Sequence, residues 1–162
     1  MRPTNTKPTG FTLVELLVVI SIIGTLAALL LTNFVGVRGR AADAKMKNDL
    51  RQLKSALRLY YNDYQNYPLG DGTLMGCGAD GTSACTAGET FSAGSETTVY
   101  MKKTPAEFSY YSAGGDEFLA VVVLDNLSDE DIEASQNLCS PDSRVYYTDG
   151  PIDEDEYVVC ED

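Results

Sequence analysis

Histidine is absent from the 162 residues, which removes the usual general base at neutral pH, every His-bearing triad and the commonest zinc ligand together. Basic residues are scarce as well. Twelve Lys and Arg stand against 24 Asp and Glu, a net charge of −12, and so acidic a chain is ill suited to coating nucleic acid. The deficit is uneven: residues 1–58 hold nine basic and three acidic side chains and residues 59–162 three basic and twenty-one acidic, so the two segments carry +6 and −18. Proline is missing between Pro8 and Pro68, so nothing there blocks a long helix. Cysteine is limited to Cys77, Cys85, Cys139 and Cys160, no two closer than eight positions. Zinc sites use pairs roughly three to five positions apart, and a catalytic cysteine would lack a histidine, so disulfides are the reading that remains. Four cysteines allow three pairings, of which the sequential one, Cys77–Cys85 with Cys139–Cys160, is the expectation.

What the chain does have is an uncharged run of twenty-two residues, Leu16–Val37, built mainly from Leu, Ile, Val and Ala. At about 1.5 Å per residue it reaches roughly 33 Å, enough for a hydrocarbon core of about 30 Å. The run reads as a membrane-spanning helix and is too long for the apolar region of a secretory signal peptide, about 7–15 residues. Before it lies the polar, mildly basic stretch MRPTNTKPTG, whose prolines and final glycine stop the helix from extending backward. Glu15 then puts a carboxylate in the first turns of an apolar helix. Deep in a membrane such a charge costs about 2.5–3.5 kcal/mol and needs a partner. The alternative is that Glu15 complements its own helix N-terminus, worth about 0.3–1 kcal/mol.

The string Gly10-Phe11-Thr12-Leu13-Val14-Glu15-Leu16, with a basic leader before it and an apolar run after it, resembles the processing signature of type IV pilins and type II secretion pseudopilins. The resemblance implies a cytoplasmic leader, 1–10, cut between Gly10 and Phe11 by a membrane prepilin peptidase, and N-methylation of Phe11. It also implies a role for Glu15: pairing with the Phe11 amino group, commonly of a neighbouring subunit, during filament assembly. A count of flanking charges points the other way on topology, because Arg38, Arg40, Lys45 and Lys47 follow the span while Arg2 and Lys7 precede it. The location of the peptidase and the paired cysteines favour an extracytoplasmic C-terminal part.

After residue 40 the apolar pattern becomes one-sided. Met46, Leu50, Leu53, Leu57, Tyr60 and Tyr64 fall at spacings of three and four, the stripe of an amphipathic helix. Asp43 with Lys47 and Lys45 with Asp49 are expected i,i+4 pairs. One helix from about Phe11 to Asn66 accounts for both halves, with a bend or local melting near Gly36–Gly39. The closing Tyr67-Pro68 is similar to the helix end of major pseudopilins, and proline disfavours helical geometry in the residue before it.

Residues 69–98 hold seven glycines and read as a long surface loop. Strands are expected at Thr97–Met101, Glu107–Ser112, Phe118–Leu124, Arg144–Thr148 and Glu156–Val159, the third of them central. The fold class is therefore α+β: a pilin-like fold of one long N-terminal helix, membrane-spanning in its first half (11–37) and amphipathic in its second (38–68), packed on a small antiparallel sheet in an exported head, 69–162. No cofactor is required. Calcium is a candidate, because major pseudopilins often carry a calcium site in a C-terminal loop and the acidic runs of the head offer Asp125, Asp129 and Asp131 as first-choice ligands, although neither run has EF-hand spacing.

These features imply a structural subunit of a type IV-like filament, in first place a pseudopilin of a type II secretion-like system, and not an enzyme. Implied partners are further copies of the chain, the prepilin peptidase, and an inner-membrane assembly platform with minor pilins or pseudopilins. Such a subunit waits as a single-pass membrane protein and ends in an extracytoplasmic or cell-surface filament. The alternatives are a type IV pilin for adhesion, motility or DNA uptake and, from another class, a membrane-anchored extracytoplasmic binding protein that never polymerises.

Overall fold

The computed structural model describes residues 10–94, 98–139 and 152–161 and, within its long helix, only the backbone of 30–35. The chain divides into two units, Met1–Arg38 and Gly39–Asp162. Helix α1 runs from Leu13 to Tyr64 and contributes its first part to one unit and the rest to the other. Helical assignment continues through Gly36 and Gly39, so the expected local melting is absent. Each glycine costs about 1 kcal/mol relative to alanine, a local penalty that established turns on either side outweigh.

In the first unit every described side chain from Leu13 to Leu29 is exposed, with Ile20 59% and Leu29 70% accessible. Between Leu16 and Leu29 the hydroxyl side chains turn back on their own helix, Ser21 Oγ donating to Val18 O at 2.8 Å and Thr25 Oγ1 to Ile22 O at 2.9 Å. That leaves an apolar surface whose polar atoms already have partners. Among the described residues no helix is long and apolar enough to cross a membrane. The Leu16–Val37 run expected to do so includes 30–35, whose side chains lie outside those described.

In the second unit the amphipathic stripe faces inward. Leu50, Leu53 and Leu57 are fully buried and Tyr60 nearly so, joined by Ala56, while Met46 packs at the edge and Tyr64 is 40% exposed. The helix stops at Tyr64 because Gln65 adopts φ 57° and its side-chain amide bonds to Asn62 O at 3.1 Å, two residues before the proline takes effect. Among the described residues eight strands follow: β1 (Gly70–Asp71), β2 (Met75–Cys77), β3 (Ser83–Ala84), β4 (Phe91–Ala93), β5 (Thr98–Met101), β6 (Ser109–Ser112), β7 (Leu119–Val123) and, after helix α2 (Glu130–Leu138), β8 (Glu156–Cys160). The main sheet has the order β1-β6-β7-β8 and is antiparallel throughout. β7 lies inside it, paired from Leu119↔Cys160 to Val123↔Glu156 on one side and with β6 on the other. Its alternate residues serve two clusters: Ala120 and Val122 join the core with α1, and Leu119 and Val121 pack with Val158 and the Cys139–Cys160 pair.

Two expectations need correction. Residues 69–94 do not form a long surface loop; they carry β1–β4 and bury Leu74, Cys77, Cys85 and Phe91. The glycines there shape turns. Gly76, at φ 119°, sits where a Cβ would come 2.8 Å from Pro68 Cβ, so the chain can fold back on the helix end only at a glycine. The acidic run beginning at Asp129 is not a loop but the start of α2. The strand expected at Arg144–Thr148 lies outside the described residues.

Candidate functional site

Two places on α1 carry the chemistry. At its N-terminus Thr12 is the residue before the first helical turn. Glu15 Oε2 accepts from Thr12 N at 2.9 Å and from Thr12 Oγ1 at 2.8 Å, while Glu15 N donates to Thr12 Oγ1 at 3.3 Å. This is a reciprocal capping box of the T-x-x-E type, which satisfies two backbone donors that a helix start leaves orphaned. Gly10 and Phe11 precede it in the open, Phe11 82% exposed. The T-x-x-E spacing from Thr12 to Glu15 is the local sequence signal of this cap.

The second place joins α1 to the segment leading into α2. Asp43 is 1% exposed, and its carboxylate accepts from Asp125 N and Asn126 N, both at 3.0 Å. One turn on, Lys47 Nζ donates to both carboxylate oxygens of Asp129, at 2.9 and 2.8 Å, and to Asp131 Oδ2 at 2.7 Å. Asp129 in turn caps α2, accepting from Asp131 N at 3.0 Å, and Glu130, Asp131 and Glu133 place negative charge in its first turn, where the helix dipole favours it. Arg51 adds a contact to Asp131 at 3.6 Å and donates from Nε to Tyr157 Oη at 3.0 Å. Burial works against the Lys47 ammonium, but hydrogen bonds and charge from Asp129 and Asp131 more than offset it, and its pKa lies above the ordinary lysine value. The hydrogen bond from Lys47 holds the Asp129 carboxyl below the usual carboxylate range, against a smaller opposing effect of burial.

Of the expected helix pairs, Lys45–Asp49 forms at 2.9 Å, whereas Asp43 and Lys47 both turn to the 125–131 segment. Their partners lie 82 to 84 residues away, a separation no local pattern reveals. Of the three calcium candidates, Asp129 and Asp131 bind the Lys47 ammonium through their carboxylates, whereas Asp125 meets α1 through its backbone N–H, which donates to Asp43. Among the described residues no group of three or more His, Cys, Asp or Glu side chains is placed to hold a metal ion.

Cys77–Cys85 and Cys139–Cys160 are disulfide-bonded. Beside the latter a cleft of about 300 Å³ is lined by Arg51, Lys54, Asp131, Ser135 and Tyr157 among others. Its hydroxyl is occupied: Ser135 Oγ donates to Ile132 O at 2.8 Å and accepts from Val158 N at 3.2 Å.

Residues 6–31 match the family model described as the prokaryotic N-terminal methylation motif. Type II secretion system core protein G of Escherichia coli (strain K12) is 44% identical over 68 residues, 42% of this chain and 46% of that protein. The corresponding protein of Vibrio cholerae serotype O1 (strain ATCC 39315 / El Tor Inaba N16961) is 40% identical over 65 residues, 40% and 44%. Type IV major pilin protein PilA of Myxococcus xanthus (strain DK1622) is 35% identical over 63 residues, 39% and 29%. The matches thus span less than half the length of these curated relatives. No solved structure matches the chain.

Proposed function

We propose that this chain is a structural subunit of a type IV-like filament, in the role of a pseudopilin of a type II secretion-like system, and that it is not an enzyme. The observation that carries the reading is the junction at the start of α1: a methylation motif over residues 6–31 leads directly into a helix whose apolar side chains from Leu13 to Leu29 are exposed. Such a surface needs lipid or copies of itself as cover. In this reading a prepilin peptidase cuts between Gly10 and Phe11 and Phe11 is methylated. Residues 11–37 hold the subunit in the bilayer with its head, 69–162, outside, and residues 38–68 join the two. Subunits then leave the bilayer for a filament cored by their apolar helices, with an assembly platform and minor pilins or pseudopilins as further partners.

Glu15 has a stated part in that step. In the single chain its carboxylate is held by Thr12, and in the filament it exchanges that partner for the amino group of Phe11, commonly on a neighbour. The Glu15→Ala variant should be processed normally yet give less than about a tenth of the filament yield. Undiminished yield would remove the pairing role.

A second reading, a type IV pilin for adhesion, motility or DNA uptake, is favoured by the similarity to the Myxococcus xanthus pilin. Electron microscopy of native cells separates the two. Long surface fibres indicate a pilus, and short periplasmic filaments that appear on the surface only on overexpression indicate secretion.

A further inference from the structure

The acidic segment at the head of α2 looks from its sequence like a place for a divalent cation, and its geometry shows a cation there already. Lys47 Nζ lies 2.9 and 2.8 Å from the two oxygens of Asp129 and 2.7 Å from Asp131 Oδ2, and its side chain is only 12% exposed. Three short charge-assisted contacts to two carboxylates use all three donors of the ammonium. They link α1 to a segment more than eighty positions away in sequence. One helical turn earlier on the same face, Asp43 holds the backbone of Asp125 and Asn126, so the turn before α2 is fixed from α1 at both of its ends.

We infer that the Lys47 ammonium does the structural work of a bridging divalent cation, so that the 125–138 segment closes through a side chain of the long helix and needs no metal between Asp129 and Asp131. Two acidic side chains brought together at a helix start repel each other and require positive charge between them. A calcium loop would draw that charge from solution. Lys47 draws it from α1, which ties closure of the 125–138 segment to formation of the helix and makes it indifferent to chelators. The inference goes beyond the filament reading and holds whether or not the chain polymerises.

Thermal melting of the full-length protein in detergent, with 1 mM calcium chloride or 1 mM EDTA, tests it. Wild type should melt at the same temperature in both solutions, and titration with calcium chloride should give no heat of binding to the head. The Lys47→Gln variant should melt about 3 °C lower or more in EDTA, while Lys47→Arg, which keeps the charge, should recover most of the loss. A Lys47→Gln protein that does not fold beside a folded Lys47→Arg protein is the same result in extreme form. A wild-type midpoint that rises with calcium, a Lys47→Gln midpoint equal to wild type, or a Lys47→Arg midpoint as low as Lys47→Gln would overturn it.

Discussion

Asp43 and Lys47 sit one turn apart on α1 and read in sequence as an ordinary surface ion pair. In the folded chain each is spent on a different task 82 to 84 residues away. Replacing Asp43 with Ala strands the amides of Asp125 and Asn126 beside a buried site and should cost about 2–3 kcal/mol in chemical denaturation of the full chain. Asp43→Asn, which keeps one acceptor, should cost less. The Lys47–Asp129 contact also has a pH signature. Asp129 has a lowered pKa in the fold, so its stabilisation is complete above the unfolded carboxyl range and fades as pH falls through the folded value. Lys47 has a raised one, so its share persists below the unfolded lysine value and is lost only as pH climbs through the folded value. The gap in melting temperature between wild type and Lys47→Gln should therefore be widest near neutrality and shrink as pH falls below the ordinary carboxylate range; a constant gap would mean that the pair is not what stabilises. Thr12 is the opposite case: its partner Glu15 is three residues away, so the capping box is written in local spacing.

Elements with a strong period were legible, and elements made by tertiary closure were not. The long helix and β5–β8 follow from apolar spacing, because burial on one face demands that spacing. β1–β4 are two or three residues long, too short for any period to register; β1 depends on pairing with the distant β6, and β2–β3 and β4–β5 are short hairpins closed by turns among the glycines. Cys77–Cys85 spans the β2–β3 hairpin, holding a segment whose glycines alone would leave it loose. Reduction of the two disulfides should lower stability by about 2–4 kcal/mol per bridge, with the Cys77→Ser/Cys85→Ser variant losing protection from proteolysis first within residues 69–94. Cleavage elsewhere in the head first would contradict that. Helix α2 escaped notice because its first turn is four acids out of five residues from Asp129 to Glu133, which suggested a ligand loop. The same acids are favourable at a helix N-terminus, and Ile132 and Ser135 supply the buried face that anchors them.

At the scale of the whole molecule the division of charge organises behaviour. The proposed cleavage would remove Arg2 and Lys7 and take the chain from −12 to −14, nearly all of the excess on the Tyr- and Asp-rich second half. Heads brought together in a filament would repel, so yield from purified subunits should rise several-fold between about 20 and 200 mM salt as the Debye length falls from roughly 20 to 7 Å. Yield independent of salt would show that other contacts dominate. The account rests most heavily on maturation at the start of α1. Mass spectrometry of the N-terminal peptide from protein extracted from its native membrane reads that directly. A mature terminus at methylated Phe11 is the predicted result, and an intact terminus at Met1 would contradict the account.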